Sequence, residues 1–565
     1  MNRQAILHIV DSAYCYPVSE RELVLRLRTA KGDIRCAQVL YGNKYEIGES
    51  HKAVEMEKCY TGELYDFFEV KLTLEDTRLA YVFYVSPDGK EFYYFSEDGI
   101  TEDYDFELAF YNSFQYPYIN GADIHRRVNW LDEAVFYQIF VDRFYMGNQK
   151  KDTSYINCKW GEIPNPKSFA GGDLRGIIEK LDYIKGVGCN AIYMTPVFRS
   201  ISNHKYDISD YYQVDPQFGS NEDLRELVQT AHEKGMRVIL DAVFNHCSEE
   251  LKEFQDVLKK GRDSAYFDWF VIKGDRISAD RDNYETFAAC TYMPKLNTSN
   301  PEVCRFLIDI GTYYIREYEI DGWRLDVSDE ISHSFWRRFR DEIKALNPDA
   351  AIIGENWHDA ANYLRGDQYD SIMNYAFTKA CLDYFATGTK NAEQFAWKLN
   401  EILVRNTGTV NRMMLNLLDS HDTHRIYKEV GKNRFKVKAA LGLLYLFPGV
   451  PCIFYGTEIL TYGGFDPDCR RCMDWSKTGK DGGCADMFYL LRKLSELRLR
   501  ERTAEGRVKI YAMQDVFVLE NRTDKSIIRL MINNTEETYR VDLMELEAYS
   551  FCICVNEGAV IYEKN

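Results

Sequence analysis

Residues 301–330, PEVCRFLIDIGTYYIREYEIDGWRLDVSDE, decide the fold. Pro301 suits the first residue of a helix, where its missing N–H has no partner to lose. A helical stretch follows and runs into a short strand, Gly322–Val327. Residues two apart on a strand share a side, which puts Arg324 beside Asp326 at the strand tip. A neighbouring guanidinium keeps a carboxylate ionised, and an ionised, partly buried carboxylate can act as a nucleophile. Taken alone, the segment favours an Arg–Asp ion pair in a core; what surrounds it reverses that.

The same strand-and-helix rhythm recurs on either side. Strands are expected at Val135–Phe140, Ala191–Thr195, Val238–Val243, Ala351–Gly354, Ser371–Asn374, Met413–Leu418 and Cys452–Tyr455. Amphipathic helices lie between them. In LRGIIEKLDYIKGVG, Ile177, Leu181, Ile184 and Val187 fall on one face. In SNEDLRELVQTAHEKG, Ser220 and Asp223 resemble a capping box and Gly235 a C-cap. Eight such units predict a multidomain α/β chain built on a (β/α)₈ TIM barrel over 123–246 and 298–502. Residues 247–297, the longest gap, follow the third strand and read as a small inserted domain. Residues 1–122 carry short β-like runs (LVLRLRTA, FFEVKLTL, LAYVFYVS) separated by turn signals such as Pro87-Asp88-Gly89, the pattern of an N-terminal β-sandwich. The β rhythm returns over 503–565 (VFVLENR, SIIRLMINN, SFCICV), an antiparallel C-terminal β-domain.

Composition narrows the function. The net charge of −18 is spread along the chain, which disfavours nucleic acid because its phosphates would be repelled. The start, MNRQAILHIVDSAYCYP, lacks the apolar run of a signal peptide. No stretch of about 18 apolar residues marks a membrane helix. The 15 cysteines are dispersed, and the one CxxC, Cys469 and Cys472, has no second pair at zinc-ribbon spacing. This usage fits a reducing cytoplasm. No organic cofactor is indicated. The 41 tyrosines and 32 phenylalanines can largely serve the core, but Tyr and Trp also stack well on sugar faces.

In a barrel of this type the chemistry sits at the C-terminal ends of the strands, and polar clusters fall there. Strand two is followed by SNHKYDISDYYQVDPQFG, strand three ends in LDAVFNH and strand four at Asp326. Strand five ends in IIGENWH with Glu355, and strand seven in LLDSHDTHR with His421 and Asp422. Three carboxylates thus converge from three strands.

These segments resemble the motif set of the α-amylase superfamily, glycoside hydrolase family 13. MPKLN (Met293–Asn297), YQIFVDRF, SNHKYD, GWRLDV and DPDCRR are similar to its neopullulanase, cyclomaltodextrinase and maltogenic amylase branch. The resemblance covers nearly the whole chain, including the N-terminal domain, which looks like a starch-binding-type module. It implies Asp326 as nucleophile, Glu355 as acid/base with Trp357 as a candidate apolar wall, and Asp422 as the carboxylate gripping sugar hydroxyls. Arg324 would orient Asp326; His246 and His421 would bond hydroxyls of the same sugar. Tyr206 resembles the platform under the cleaved sugar, His204 its neighbour, and Asp466 and Arg470 more distant sugar contacts. Phe287 and Trp357 line the acceptor side or pack as core, and Asp241 and Asn245 support the site. A calcium site is implied at Asn148, Asp152, Gly171 and Asp173, although Met146 and Lys151 stand where oxygen donors belong and Lys151 would repel a cation. Asn356 after the acid/base, Cys472 and Thr457 also depart from the branch pattern.

The implied activity is retaining hydrolysis of α-1,4, and secondarily α-1,6, glucosidic bonds in cyclodextrins, pullulan and maltooligosaccharides, with some transglycosylation. The implied assembly is a homodimer through the N-terminal domain. Two rival readings remain: an isomerising transglycosylase on the same barrel, against which MPKLN argues, and a non-catalytic glucan-binding scaffold, against which the three intact carboxylates argue.

Overall fold

The computed structural model describes residues 1–479, 482–541 and 544–564. The N-terminal part is two facing antiparallel sheets. One runs Cys15–Ser19, Glu22–Ala30, Tyr65–Thr73, Glu57–Thr61. The other runs Lys52–Glu55, Cys36–Gly42, Leu79–Ser86, Tyr93–Ser96, Gly99–Thr101, with Phe114–Tyr116 also on Leu79–Ser86. Leu23, Leu25 and Leu27 alternate along one strand and meet Val39, Tyr81, Phe83 and Val85 of the facing sheet. Period two is what a strand needs to bury one face.

Eight parallel strands form the barrel. Around the sheet they run Ser371–Ile372, Ala351–Gly354, Gly322–Leu325, Arg237–Ala242, Ala191–Met194, Phe136–Ile139, Val450–Phe454 and Leu415–Leu417. A parallel bridge from Met373 to Leu415 joins the two ends and closes the ring. These strands are buried on both faces, hence their apolar composition. Phe136, Tyr193, Ile239, Ile353, Met373, Leu415 and Cys452 form one interior cluster, whereas Trp323, Leu325 and Ile352 join the larger cluster shared with the helices. The alternation decides the site: if Trp323 and Leu325 point out to the helices, Arg324 points in.

The helices start where side chains can satisfy their free N–H groups. Asp173 caps Leu174–Val187, and Ser220 with Asp223 completes a capping box on Asn221–Glu233. Gly235 follows the Lys234 cap in the left-handed region. Asn300 caps Pro301–Tyr318, with Pro301 in the first turn.

Residues 247–297 hold one α-helix, Lys252–Lys260, short 3-10 turns and isolated bridges such as Thr286 to Pro294. Their Phe254, Val257, Trp269 and Phe270 belong to the same buried cluster as the barrel helices. The insertion therefore packs as an outgrowth of the barrel. The C-terminal part is a five-stranded antiparallel sheet, Arg507–Met513, Val516–Arg522, Ile527–Asn533, Ser550–Val555 and Gly558–Glu563.

Candidate active site

Arg324 is the centre of the cluster. Its side chain is fully buried in the barrel mouth. Nη1 donates to Asp326 Oδ1 at 2.9 Å and to both oxygens of Asp241 at 3.0 Å. Nη2 lies 2.8 Å from Glu355 Oε2, within ion-pairing range though not aligned as a hydrogen bond. One guanidinium thus holds three carboxylates from strands three, four and five. Asp326 Oδ2 is buried and has no hydrogen-bonding partner.

The chain turns sharply just past Asp326. Val327 has φ +44°, a left-handed conformation that a β-branched residue adopts only under constraint. The turn aims the Val327 N–H at Glu355 Oε2, 3.0 Å away. Burial pushes the Glu355 carboxyl up to about 7, with Arg324 opposing and Asp422 reinforcing. Burial also raises Asp326, again opposed by Arg324 and reinforced by Glu355. Like charges this close cannot all ionise, so the pair holds a proton near neutral pH.

Asp422 differs. Burial pushes it up, but His421, Arg470 and Arg324 together hold it below its usual value. Burial lowers His421 to about 3, so the imidazole is neutral near pH 7 and the two guanidiniums are the charges that stabilise Asp422 there. Arg470 Nη2 lies 3.3 Å from Asp422 Oδ1 and Nη1 2.8 Å from Asp466 Oδ1. Arg470 Nε donates to the His421 carbonyl at 2.8 Å. Gln138 Nε2 lies 2.8 Å from His421 Nδ1. With Gln138 as donor, His421 carries its proton on Nε2, which faces the Tyr206 hydroxyl at 2.6 Å and Asp422 Oδ2 at 3.1 Å.

Tyr206 stacks parallel to His421, interplanar angle 2°, and donates to Asp241 Oδ2 at 2.8 Å. His204 stacks beside Tyr206 at 5.9 Å. His246 lies across Phe287 at 4.7 Å with Nε2 unpartnered. Trp357 lies flat on Tyr375, ring centroids 3.6 Å apart, and is 55% exposed. It is an open platform and not a wall around a buried acid. Asn356 is buried and accepts from Ser328 Oγ at 3.2 Å.

The oxygens of the implied calcium site already have other partners. Asn148 Oδ1 accepts from the Lys150 N–H and Asp152 Oδ1 from the Ser154 N–H, both local turns. Asp173 and Gly171 do turn oxygens to a common point, and the Lys151 ammonium is there: 3.0 Å from Asp173 Oδ2 and 2.6 Å from the Gly171 carbonyl. This donor set does not fit a calcium ion. Among the described residues no group of three or more His, Cys, Asp or Glu side chains is placed to hold a metal. Asn245 accepts from Lys295 Nζ, which also pairs with Glu330 at 2.9 Å.

Several participants were not singled out from the sequence. Tyr193 donates to Asp241 Oδ2 at 2.7 Å; Gln138, Tyr375 and Lys295 act as above. The available signal was polarity within an apolar run: Gln138 in VFYQIF interrupts a strand that is otherwise apolar.

Residues 138–494 match the family model described as alpha amylase, catalytic domain, and residues 1–120 that described as alpha amylase, N-terminal ig-like domain. A cyclomaltodextrinase of Thermoanaerobacter pseudethanolicus is 42% identical over 97% of this chain and 95% of its own. An intracellular maltogenic amylase of Bacillus subtilis is 39% identical over 97% of this chain and 93% of its own. A solved cyclomaltodextrinase structure superposes with TM-score 0.90 at 38% identity, covering 95% of this chain and 92% of that one. With more than half of the residues inside the catalytic model and such relatives matching over nearly the full length, the chain belongs to the α-amylase family of glycoside hydrolases, on its neopullulanase, cyclomaltodextrinase and maltogenic amylase branch.

Proposed function

We propose that this α-glucan hydrolase works with retention through a covalent glycosyl-enzyme on Asp326. The observation that carries the reading is the shared guanidinium. Arg324 holds Asp326 and Glu355 on adjacent nitrogens and leaves Asp326 Oδ2 unpartnered. A retaining pair needs carboxyl groups about 5–5.5 Å apart, one nucleophilic and one protonated. Asp326 is the better anion, because Arg324 donates to it in line, whereas Glu355 accepts an in-line bond only from the Val327 N–H. In the first step Asp326 Oδ2 bonds the anomeric carbon as the glycosidic bond breaks. The leaving oxygen takes the Glu355 proton. In the second step Glu355 takes a proton from water, the water oxygen bonds the anomeric carbon, and Asp326 leaves as carboxylate.

Asp422, ionised by its guanidinium neighbours, grips sugar hydroxyls and favours the positive charge that develops on the ring. Tyr206 supplies the stacking face, His204, His246 and His421 bond hydroxyls, and Asp466 with Arg470 contacts sugars further out. Phe287 and Trp357 serve the acceptor side. A sugar hydroxyl reaching the glycosyl-enzyme in place of water gives transglycosylation. The substrates are cyclodextrins, pullulan and maltooligosaccharides, cut at α-1,4 bonds, with α-1,6 bonds a second target of the same pair.

The N-terminal domain exposes Tyr45, Phe110 and Tyr111 at 65%, 54% and 82%. This aromatic patch supports a homodimer in which that domain covers the partner's cleft. The name of the Bacillus subtilis relative and the free state of the cysteines support a cytoplasmic setting. No helix among the described residues is long and apolar enough to cross a membrane.

Product analysis of wild type beside Asp326→Ala on β-cyclodextrin, pullulan and soluble starch tests the reading. Rapid cyclodextrin opening with slow starch attack, lost in the variant, is the expected result. Anomeric inversion, or an active Asp326→Ala protein, would overturn it.

A further inference from the structure

Lys151 has only 7% of its side chain exposed. Its ammonium has three donors and meets three oxygens: Asp173 Oδ2 at 3.0 Å, the Gly171 carbonyl at 2.6 Å and the Gln217 carbonyl at 2.8 Å. Asp173 is otherwise committed. Oδ1 accepts from the Gly147 and Gly176 N–H groups and Oδ2 from that of Asn148. A divalent ion could enter only by expelling a paired ammonium, and like charges that close repel strongly in a site shielded from water.

The same ammonium is tied to the cleft. Gln217 gives its carbonyl to Lys151 and its side-chain oxygen to Lys205 Nζ, at 2.8 Å and 2.6 Å. Lys205 is wholly buried, pairs with Asp215 at 3.0 Å and sits in the left-handed region at φ +63°. Its sequence neighbours are His204 and Tyr206. Two buried cations therefore pin one glutamine from both ends, and the chain of contacts finishes at the stacking ring.

We propose that the Lys151 ammonium is the resident cation of this loop, replacing a divalent metal ion, and that through Gln217 and Lys205 it positions the segment carrying His204 and Tyr206. The positioning half rests on the sugar-binding role proposed above for those two residues; the metal half does not, so the two can fail separately.

Calorimetric titration of calcium chloride into chelator-treated wild-type protein tests the metal half. No saturable binding, and the same thermal midpoint with chelator or with calcium, is expected. Stoichiometric binding with a raised midpoint would overturn it. For the positioning half, Lys151→Met and Gln217→Ala are assayed on a linear maltooligosaccharide. Gln217→Ala keeps the carbonyl that Lys151 needs and removes only the link to Lys205, so it serves even if Lys151→Met does not fold. A severalfold rise in KM with a smaller change in kcat is expected. An unchanged KM in a folded Gln217→Ala protein would overturn the positioning role.

Discussion

Arg324 sets the electrostatics of the whole cluster because its planar fork serves several acceptors at once. A lysine at that position is a point charge that cannot reach Asp241, Asp326 and Glu355 together. Leaving a buried charge without its partner costs about 3–5 kcal/mol, and about 1.4 kcal/mol is tenfold in rate. Arg324→Lys should therefore lower kcat/KM on cyclodextrin by about a hundred- to a few-thousandfold while the fold persists by circular dichroism; a loss under tenfold would mean the guanidinium geometry is not needed. Glu355 gives a second prediction, on pH. The proposed acid, Glu355, must carry its proton, and burial holds its carboxyl up to about 7, so kcat/KM should fall on the alkaline side from there. The stability sign is also fixed. A carboxyl whose folded value lies above its unfolded one binds its proton more tightly in the fold, so its contribution is greatest below the unfolded value near 4.5 and declines as pH rises towards 7. At pH 8 Glu355 burdens the fold, and Glu355→Gln should raise the thermal midpoint while activity falls about a hundredfold or more. A midpoint below wild type at pH 8 would contradict that linkage.

Strand and helix alternation was readable because it rests on two periods, and both appear in the chain: two for Arg324 and Asp326, and 3.6 for Ile177, Leu181 and Ile184. Element ends were less readable. Met413–Leu418 reads as one strand, yet Gly408–Met413 is a helix capped by Thr407 and the strand is only Leu415–Leu417. Met413 is buried in either conformation, so its apolarity carries no information about which one it takes. Asn374 likewise leaves the sixth strand to cap the next helix, accepting from Phe377 N. Side-chain partners were harder still. Asp241 lies 83 residues from Arg324, and only the closed ring brings them together. Close backbone approach was invisible too. Gly176 opens the helix Leu174–Val187 against the loop after strand one, where an added Cβ would sit 2.0 Å from the Tyr145 carbonyl. Neither side is a flexible side chain, so Gly176→Ala should overpack this corner by about 1–3 kcal/mol. Urea unfolding would show it as a lower midpoint; an unchanged midpoint would mean the loop yields freely.

At the scale of the molecule, one barrel helix, Ala392–Val404, is the hub on which both β-domains sit. Asn400 Nδ2 donates to the Thr61 carbonyl of the N-terminal domain and the Ile510 carbonyl of the C-terminal one. Lys31 places its ammonium 3.3 Å from the centre of the Trp397 ring. Arg26 closes the junction from the N-terminal side. Its buried guanidinium pairs with Glu69 at 2.8 Å and donates to the Ala13 carbonyl at 2.9 Å and the Val404 carbonyl at 3.1 Å. None of this was legible in ELVLRLRTA, where Arg26 reads as the polar side of an alternating strand; that side is covered only because a barrel helix docks on it. Arg26→Met removes the bond to Val404 and leaves Glu69, which reaches solvent with 26% of its side chain exposed, free to rehydrate. The main loss is then at the junction and not inside the sandwich. Scanning calorimetry should resolve an earlier, separate transition for the N-terminal domain in Arg26→Met, whereas wild type should unfold these domains together. If that domain also covers the partner's cleft, loosening it should shift the ratio of starch to cyclodextrin hydrolysis towards starch with Asp326 and Glu355 untouched. A single transition at the wild-type midpoint would show that Asn400 and Lys31 hold the junction without the guanidinium. A split transition with an unchanged substrate ratio would instead separate the docking of the domain from any covering of the cleft.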